Sequence, residues 1–239
     1  MRIRQGSKAC LAEVKCGIIG SMEITYLGHS AFKIKTKTAT LVTDPYGKMT
    51  GFVMPAVSAD LITVSHHHED HDNIKAVSGT ARRANPFVID SPGEYEIEGI
   101  SVFGYQTYHD AENGAKRGNN VIYVIQAEDL RILHLGDLGH KLSKEIIDEL
   151  DGIDVVMIPV GGDYTVDAKM AAEIAAELEP YYVIPMHFKT EKHDDKTFGQ
   201  LATVEEFVKE FQHGSRTVKN LSISKLGLPE DLTEVILFE

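Results

Sequence analysis

The stretch that decides the reading of this chain is Leu61-Ile62-Thr63-Val64-Ser65-His66-His67-His68-Glu69-Asp70-His71, an apolar strand-like run that empties into an HxHxDH cluster. A helix-like stretch follows from Asp72. Three imidazoles and a carboxylate crowded into one turn have no packing use, because every ring brings a polar nitrogen that must be paired or solvated. A divalent metal resolves the problem. Imidazole and carboxylate are borderline ligands accepted by zinc, iron and manganese, and a strand-to-helix turn sends alternate side chains in different directions, enough to serve two ions. The cluster is internal and flanked by patterned sequence, so it is not an expression tag. A structural metal would favour a closed, cysteine-rich shell, whereas Cys10 and Cys16 lie in an unrelated segment, so the expectation is an open, catalytic site.

Outward from the cluster, the 239 residues suit one large domain with a sizeable core. No apolar run approaches the roughly 20 residues that span a bilayer, and no membrane association is expected. A formal net charge of -12 argues against a nucleic-acid partner, although bound cations would create a positive site within an acidic shell. Two cysteines cannot build a disulfide framework, which makes a reducing cytoplasm the expected compartment. Residues 1–21 carry Arg2, Arg4 and Lys8 but too short an apolar core for a secretory signal. They are read as a disordered extension upstream of a natural start at Met22, with residues 22–239 forming a single domain. A metal site at Cys10 and Cys16 is disfavoured, because one cysteine pair lacks a second.

The chain from Met22 opens with three strand-like runs, Glu23 to Leu27, Ala31 to Lys35 and Thr40 to Thr43, and Asp44-Pro45 ends the third. The stretch from Tyr46 to Ala59, with Gly47, Gly51 and Pro55, is a loop long enough to cover a site. After the metal cluster and a short helix over Asn73 to Val77, strands are expected at Phe87 to Asp90, Ile100 to Tyr105, Val121 to Gln126 and Arg131 to Leu135. Helices then alternate with strands: Ser143 to Leu150, Val155 to Pro159, Val166 to Leu178, Tyr181 to Ile184, Val204 to Phe211 and Glu234 to Phe238. Two sheets packed face to face and covered by helices, a four-layer αββα sandwich in the α/β class, accommodate this pattern.

Further ligands must arrive from distant loops, and polar residues at strand exits are the candidates. His109 follows the Ile100 to Tyr105 strand, Asp137 ends the Arg131 to Leu135 strand within His134-Leu135-Gly136-Asp137, and His187 follows the Tyr181 to Ile184 strand in Pro185-Met186-His187-Phe188. Singly, each passes for a capping, turn or surface residue; beside the cluster they read as ligands.

With these residues assembled, the chain from Met22 to Glu239 resembles the metallo-β-lactamase superfamily of metal-dependent hydrolases. Tyr26-Leu27-Gly28-His29-Ser30-Ala31-Phe32, Val42-Thr43-Asp44-Pro45 and Gly136-Asp137-Leu138-Gly139-His140 most resemble the branch containing ascorbate phosphate lactonase. The resemblance implies an αββα sandwich with a two-metal site at one edge of the sheets. It implies that His66, His68 and His109 hold one ion, that Asp70, His71 and His187 hold the other, that Asp137 bridges both, and that Asp44 supports the ligand turn. His67 and Glu69 occupy variable positions of the cluster.

The expected chemistry is hydrolysis by a hydroxide shared between two divalent ions, most readily zinc, with manganese or iron as alternatives. Asp70 would orient that hydroxide. His29 is a candidate for the pocket wall or for orienting a loop; Tyr164 is a candidate substrate contact, with Asp163 or Thr165 capping the next helix. Lys189 reads as a solvated lysine or the partner of an anionic group, and His67, Glu69 and Asp72 as turn or surface residues. A small anionic ester or lactone is the preferred substrate. The alternatives are RNA or another phosphodiester, or a metal-dependent binding protein without turnover. Val53-Met54-Pro55-Ala56-Val57 is a candidate contact in a homo-oligomer.

Overall fold

The computed structural model describes residues 20–230 and 232–239, so the expected extension, apart from Gly20 and Ser21, lies outside the described residues. β1 (Met22–Gly28), β2 (Ala31–Lys35) and β3 (Thr40–Thr43) form the expected antiparallel meander. β5 (Leu61–Thr63) and β7 (Phe87–Ile89) add to it in parallel, and β15 (Leu221–Ile223) closes the other edge of this six-stranded sheet. The short β4 (Val57–Ser58) and β6 (Val77–Ser78) pair separately.

The second sheet has eight strands. β8 (Gly93–Ile97), β9 (Ile100–Tyr108), β10 (Asn119–Ala127) and β11 (Leu130–His134) run antiparallel. β12 (Val155–Pro159) and β13 (Tyr182–Met186) continue in parallel, followed by β16 (Glu234–Phe238) and then β14 (Gly214–Val218) at the edge. Period-two alternation splits each strand between two cores. In β10, Val121, Tyr123 and Ile125 face Ile24, Phe32, Ile34 and Leu61 between the sheets. The intervening Ile122 and Val124 face outward, under helices α2 (Ala168–Leu178) and α4 (Val204–Phe211). Burial on both faces explains why β10 and β12 read as continuous apolar runs.

The mixed α/β sandwich is therefore present, with unequal outer layers. α1 (Lys144–Glu149), α2 and α4 cover the second sheet, with α3 (Asp195–Phe198) between β13 and α4 in sequence. The outer face of the first sheet, Val42, Ile62 and Val64, is covered instead by Met54, Val57 and Val77 from the long loop and the β4–β6 ribbon. The helix expected over Asn73 to Val77 is a 3-10 turn at Ile74–Ala76 that runs straight into β6. Its few residues are too short for a stable α-helix. β8, β14 and β15 were not expected: β8 and β14 are polar, largely exposed edge strands with little hydrophobic period to read, and β15, although it buries Leu221 and Ile223, is only three residues long. Among the described residues, no helix is long and apolar enough to cross a membrane.

The connectivity places the candidate residues. β1, β3 and β5 point the same way, since two antiparallel steps and one parallel step separate them. β9, β11 and β13 share a direction for the same reason. Their C-terminal ends carry His29, Asp44 and the His66–His71 turn from one sheet, and His109, Asp137 and His187 from the other.

Candidate metal centre

The structure brings the distant candidates together around Asp137. Its Oδ2 lies 3.2 Å from both His71 Nε2 and His187 Nε2, 3.3 Å from His109 Nε2 and 3.9 Å from His66 Nε2. The His68 ring completes one side, 4.6 Å from His66 and 5.2 Å from His109 between ring centroids. Asp70 Oδ2 approaches His71 Nε2 at 3.6 Å on the other side. Donor atoms of His66, His68 and His109 form one mutually close set, those of His29, Asp70, His71 and His187 a second, and those of His66, His71 and Asp137 a third between them. All of these residues except His68 are buried.

The tautomers follow from what lies behind the rings. Asp44 accepts from the Ser65 backbone N–H at 2.8 Å and from the Ser65 hydroxyl at 2.6 Å. With its proton so committed, Ser65 Oγ accepts from His66 Nδ1 at 2.9 Å, which leaves His66 Nε2 bare. His71 Nδ1 donates to Asp44 Oδ2 at 2.9 Å, so its Nε2 is bare as well. One carboxylate thus aims two lone pairs into the site. Burial opposes ionisation of Asp44, but His134 and His71 and the Ser65 hydroxyl hold its carboxyl below the usual range.

These residues fit a cation. The Nε2 atoms of His66, His71 and His187 and Oδ1 of Asp137 are buried without a hydrogen-bond partner. Acceptors packed against a carboxylate require positive charge among them, and a divalent ion supplies it. Without a cation, protons fill that role: burial works against a charged His71, yet Asp137 and Asp70 raise its pKa well above the ordinary imidazole value. Burial likewise opposes ionisation of Asp137, but His187 and His71 keep its carboxyl far below the usual range.

The backbone is strained where the ligands sit. His29, Asp44 and His187 have φ of 53°, 35° and 51°, the left-handed region that side chains other than glycine seldom adopt. Compensating contacts hold them: the His29 carbonyl accepts from the Tyr26 hydroxyl and the His187 N–H, and the Asp44 N–H donates to the Thr63 carbonyl. Gly136 is required beside Asp137, for its φ is +52° and a Cβ there would lie 2.4 Å from Asn120 Oδ1. Gly139 lets its turn pack directly on the His109 backbone.

His29 does not line the pocket, as one of its two readings had it. It is fully buried behind Asp70, the last link of a chain that no local signal in the sequence revealed. The Thr190 N–H donates to His193 Nδ1 at 3.1 Å; His193 Nε2 must then donate to His29 Nδ1 at 3.1 Å, and His29 Nε2 to Asp70 Oδ2 at 3.3 Å. Burial, reinforced by His187, lowers the pKa of His29 to about 4, and burial with His29 lowers His193 to about 3, so both rings are neutral donors at neutral pH.

A cavity of about 280 Å³ opens over the cluster, lined by His68, Asp70, His109 and Asp137 on the metal side. Tyr164, Phe198 and Arg117 form part of its wall. The Tyr164 hydroxyl donates to the Thr197 carbonyl at 2.8 Å, so the ring is a wall with its proton already engaged. Neither Asp163 nor Thr165 caps the following helix: Asp167 does, accepting from the Met170 N–H, because α2 starts at Ala168. Lys189 pairs with Asp195 and is not part of the cavity wall. His67 is exposed beside Asp72 and Asp90.

Comparison with known proteins agrees with this architecture. Residues 23–187 match the model of the beta-lactamase superfamily domain. A UPF0173 metal-dependent hydrolase of Thermococcus onnurineus is 31% identical over 192 residues, 71% of this chain and 85% of the relative. Another, from Thermoplasma volcanium, is 32% identical over 193 residues, covering 71% and 84%. A crystal structure from Thermotoga maritima, assigned to the Zn-dependent hydrolases of the metallo-beta-lactamase superfamily, superposes with a TM-score of 0.73 at 34% identity, covering 91% of this chain and 98% of its own. With the sandwich, the histidine-rich turn and these likenesses together, the chain belongs to the beta-lactamase superfamily.

Proposed function

We propose that this metal-dependent hydrolase opens a small anionic ester or lactone at a two-metal centre. His66, His68 and His109 would hold one divalent ion, Asp70, His71 and His187 the other, with Asp137 between them. When bound, the ions would lower the pKa of water toward neutrality and polarise the substrate carbonyl. The observation that carries this reading is the buried set of unpartnered imidazole nitrogens around Asp137, which itself lines a cavity of about 280 Å³ with His68, Asp70 and His109.

The residues divide the remaining work. Asp70 accepts a hydrogen bond from His29 at Oδ2, and its carboxylate would also orient the attacking water. Burial opposes its ionisation, but His71 and His29 hold its pKa far below the carboxylate range, so Asp70 orients water and does not store its proton. His29 fixes the angle of that carboxylate and is a positioning residue. Phe198 and Tyr164 exclude water from one wall, which strengthens the field at the reacting carbonyl. A cavity this size suits a small molecule, and the net charge of -12 disfavours a nucleic-acid backbone.

The test is metal analysis of the purified protein joined to a screen of lactones and simple esters against single-stranded RNA. Lactone or ester turnover that a chelator abolishes and zinc, manganese or iron restores is the expected result. Cleavage of RNA alone would overturn the substrate assignment, and metal bound with no turnover of any substrate would indicate a binding protein.

A further inference from the structure

We propose that Arg117 is the anion-recognition residue of this cavity, receiving a carboxylate or phosphate group carried by the substrate a few atoms from its scissile carbonyl. The inference rests on the proposed hydrolase reading and names what its substrate must carry.

Arg117 belongs to the loop between β9 and β10, and the loop is built around one carboxylate. Asp110, buried next to His109, accepts backbone N–H bonds from Glu112 at 2.7 Å, Gly114 at 3.0 Å, Lys116 at 2.9 Å and Arg117 at 2.8 Å. A loop tied at four points holds its last residue in place, so the Arg117 side chain leaves a rigid base bonded to Asp110, the chain neighbour of the candidate ligand His109. The guanidinium then lies over the Tyr164 ring, 4.7 Å from its centroid, and Nη2 donates to the Asp163 carbonyl at 3.2 Å.

What this arginine lacks is an acid. Its cavity wall includes Glu69, Asp70 and Asp137, and the chain carries 36 acidic against 24 basic residues, yet among the described residues no carboxylate lies within 4.0 Å of Arg117. One face of the guanidinium and one Nη2 donor are committed, and both contacts hold the group flat at the cavity wall. The remaining N–H edge is the fork that pairs two oxygens of a carboxylate or phosphate at once. A structural arginine in so acidic a chain would be expected to close on a carboxylate; this one is kept from them by a π face and a backbone carbonyl. Among the described residues, it is the one Lys or Arg side chain in the wall.

The experiment compares three 4-nitrophenyl esters on the metal-loaded enzyme: a glutarate monoester ending in carboxylate, a chain of similar length ending in phosphate, and a neutral pentanoate. Wild type is expected to prefer an anionic ester, and Arg117→Ala to lower the anionic-to-neutral ratio of kcat/KM by about 10- to 100-fold, chiefly through KM. Arg117→Lys, which keeps the charge and loses the fork, should fall between them. The carboxylate and phosphate arms separate the two anion classes. Calorimetry with glutarate and with phosphoglycolate reads the site without turnover: binding weakened at least tenfold in Arg117→Ala supports the inference even if no ester is hydrolysed, a result that would defeat the hydrolase reading alone. Equal ratios in wild type and Arg117→Ala, or anion binding that the substitution leaves unaltered, would overturn it.

Discussion

Replacing Asp44 by Asn preserves shape and burial while changing one oxygen into a donor, which makes it a sharp test of how the metal centre is assembled. Asp44 touches no proposed ion. It accepts three hydrogen bonds, from the Ser65 N–H, the Ser65 hydroxyl and His71 Nδ1, and through Ser65 it also sets the tautomer of His66. In Asp44→Asn, the amide nitrogen takes either the Oδ1 position, against the Ser65 backbone N–H whose proton cannot move, or the Oδ2 position, against both the Ser65 hydroxyl and His71 Nδ1. The second arrangement turns His71 Nδ1 and, through the Ser65 hydroxyl, His66 Nδ1 into acceptors, so both rings carry their protons on Nε2 and the lone pairs aimed into the site are lost. Removing the partner behind a ligating imidazole costs roughly 10- to 100-fold in metal affinity, about 1.4 to 2.8 kcal/mol. The assay is competition against a chromogenic chelator at pH 7.5, with circular dichroism to verify the fold. Affinity within threefold of wild type in a folded variant would refute the claim that Asp44 dictates both tautomers.

Three other outcomes follow from the geometry. His193→Phe keeps packing against Phe52 and Phe198 but removes the donor to His29, so kcat should fall by about three- to tenfold at equal metal content; an unaltered kcat would remove His193 from the chain that orients Asp70. Burial opposes ionisation of Asp110, but backbone N–H donors led by Arg117 hold its carboxyl at about 2, below the ordinary value of 3.8, so loop protection is complete above about pH 4 and lost as the pH falls through 2. Hydrogen exchange at residues 112–117 measures this, with Asp110→Asn expected to exchange fast even at neutral pH, and equal protection in both proteins would contradict the four-point tie. Gly136→Ala places a methyl 2.4 Å from Asn120 Oδ1 at φ +52°, which should destabilise the fold by about 1–3 kcal/mol and lower Tm by roughly 2–4 °C per kcal/mol; an unaltered Tm would show that the turn relaxes freely.

The strands that bury both faces, β10, β12 and β13, were legible because continuous Val and Ile runs have little alternative to a covered sheet. The polar edge strands β8 and β14 were not, since an exposed edge imposes no apolar period. At the centre, His66, His68, Asp70 and His71 announced themselves by density, and His109, Asp137 and His187 by lying where strands end. His193 and Arg117 stayed hidden. One is a solitary histidine in a loop, the other a basic residue in a turn, and neither residue type at such a place is unusual.

By itself the chain of letters determined that a metal-ligand turn follows a buried strand, because no apolar interior tolerates that concentration of imidazole and carboxylate without a cation. Which nitrogen of each ring points inward, which histidine stands behind Asp70, and which arginine reaches the cavity were decided only in three dimensions. The reason is physical. Tautomers, relays and cavity walls are set by partners as many as 164 residues away, as His29 and His193 are, and such distances are closed only when two sheets stack and bring the ends of their strands to a common edge.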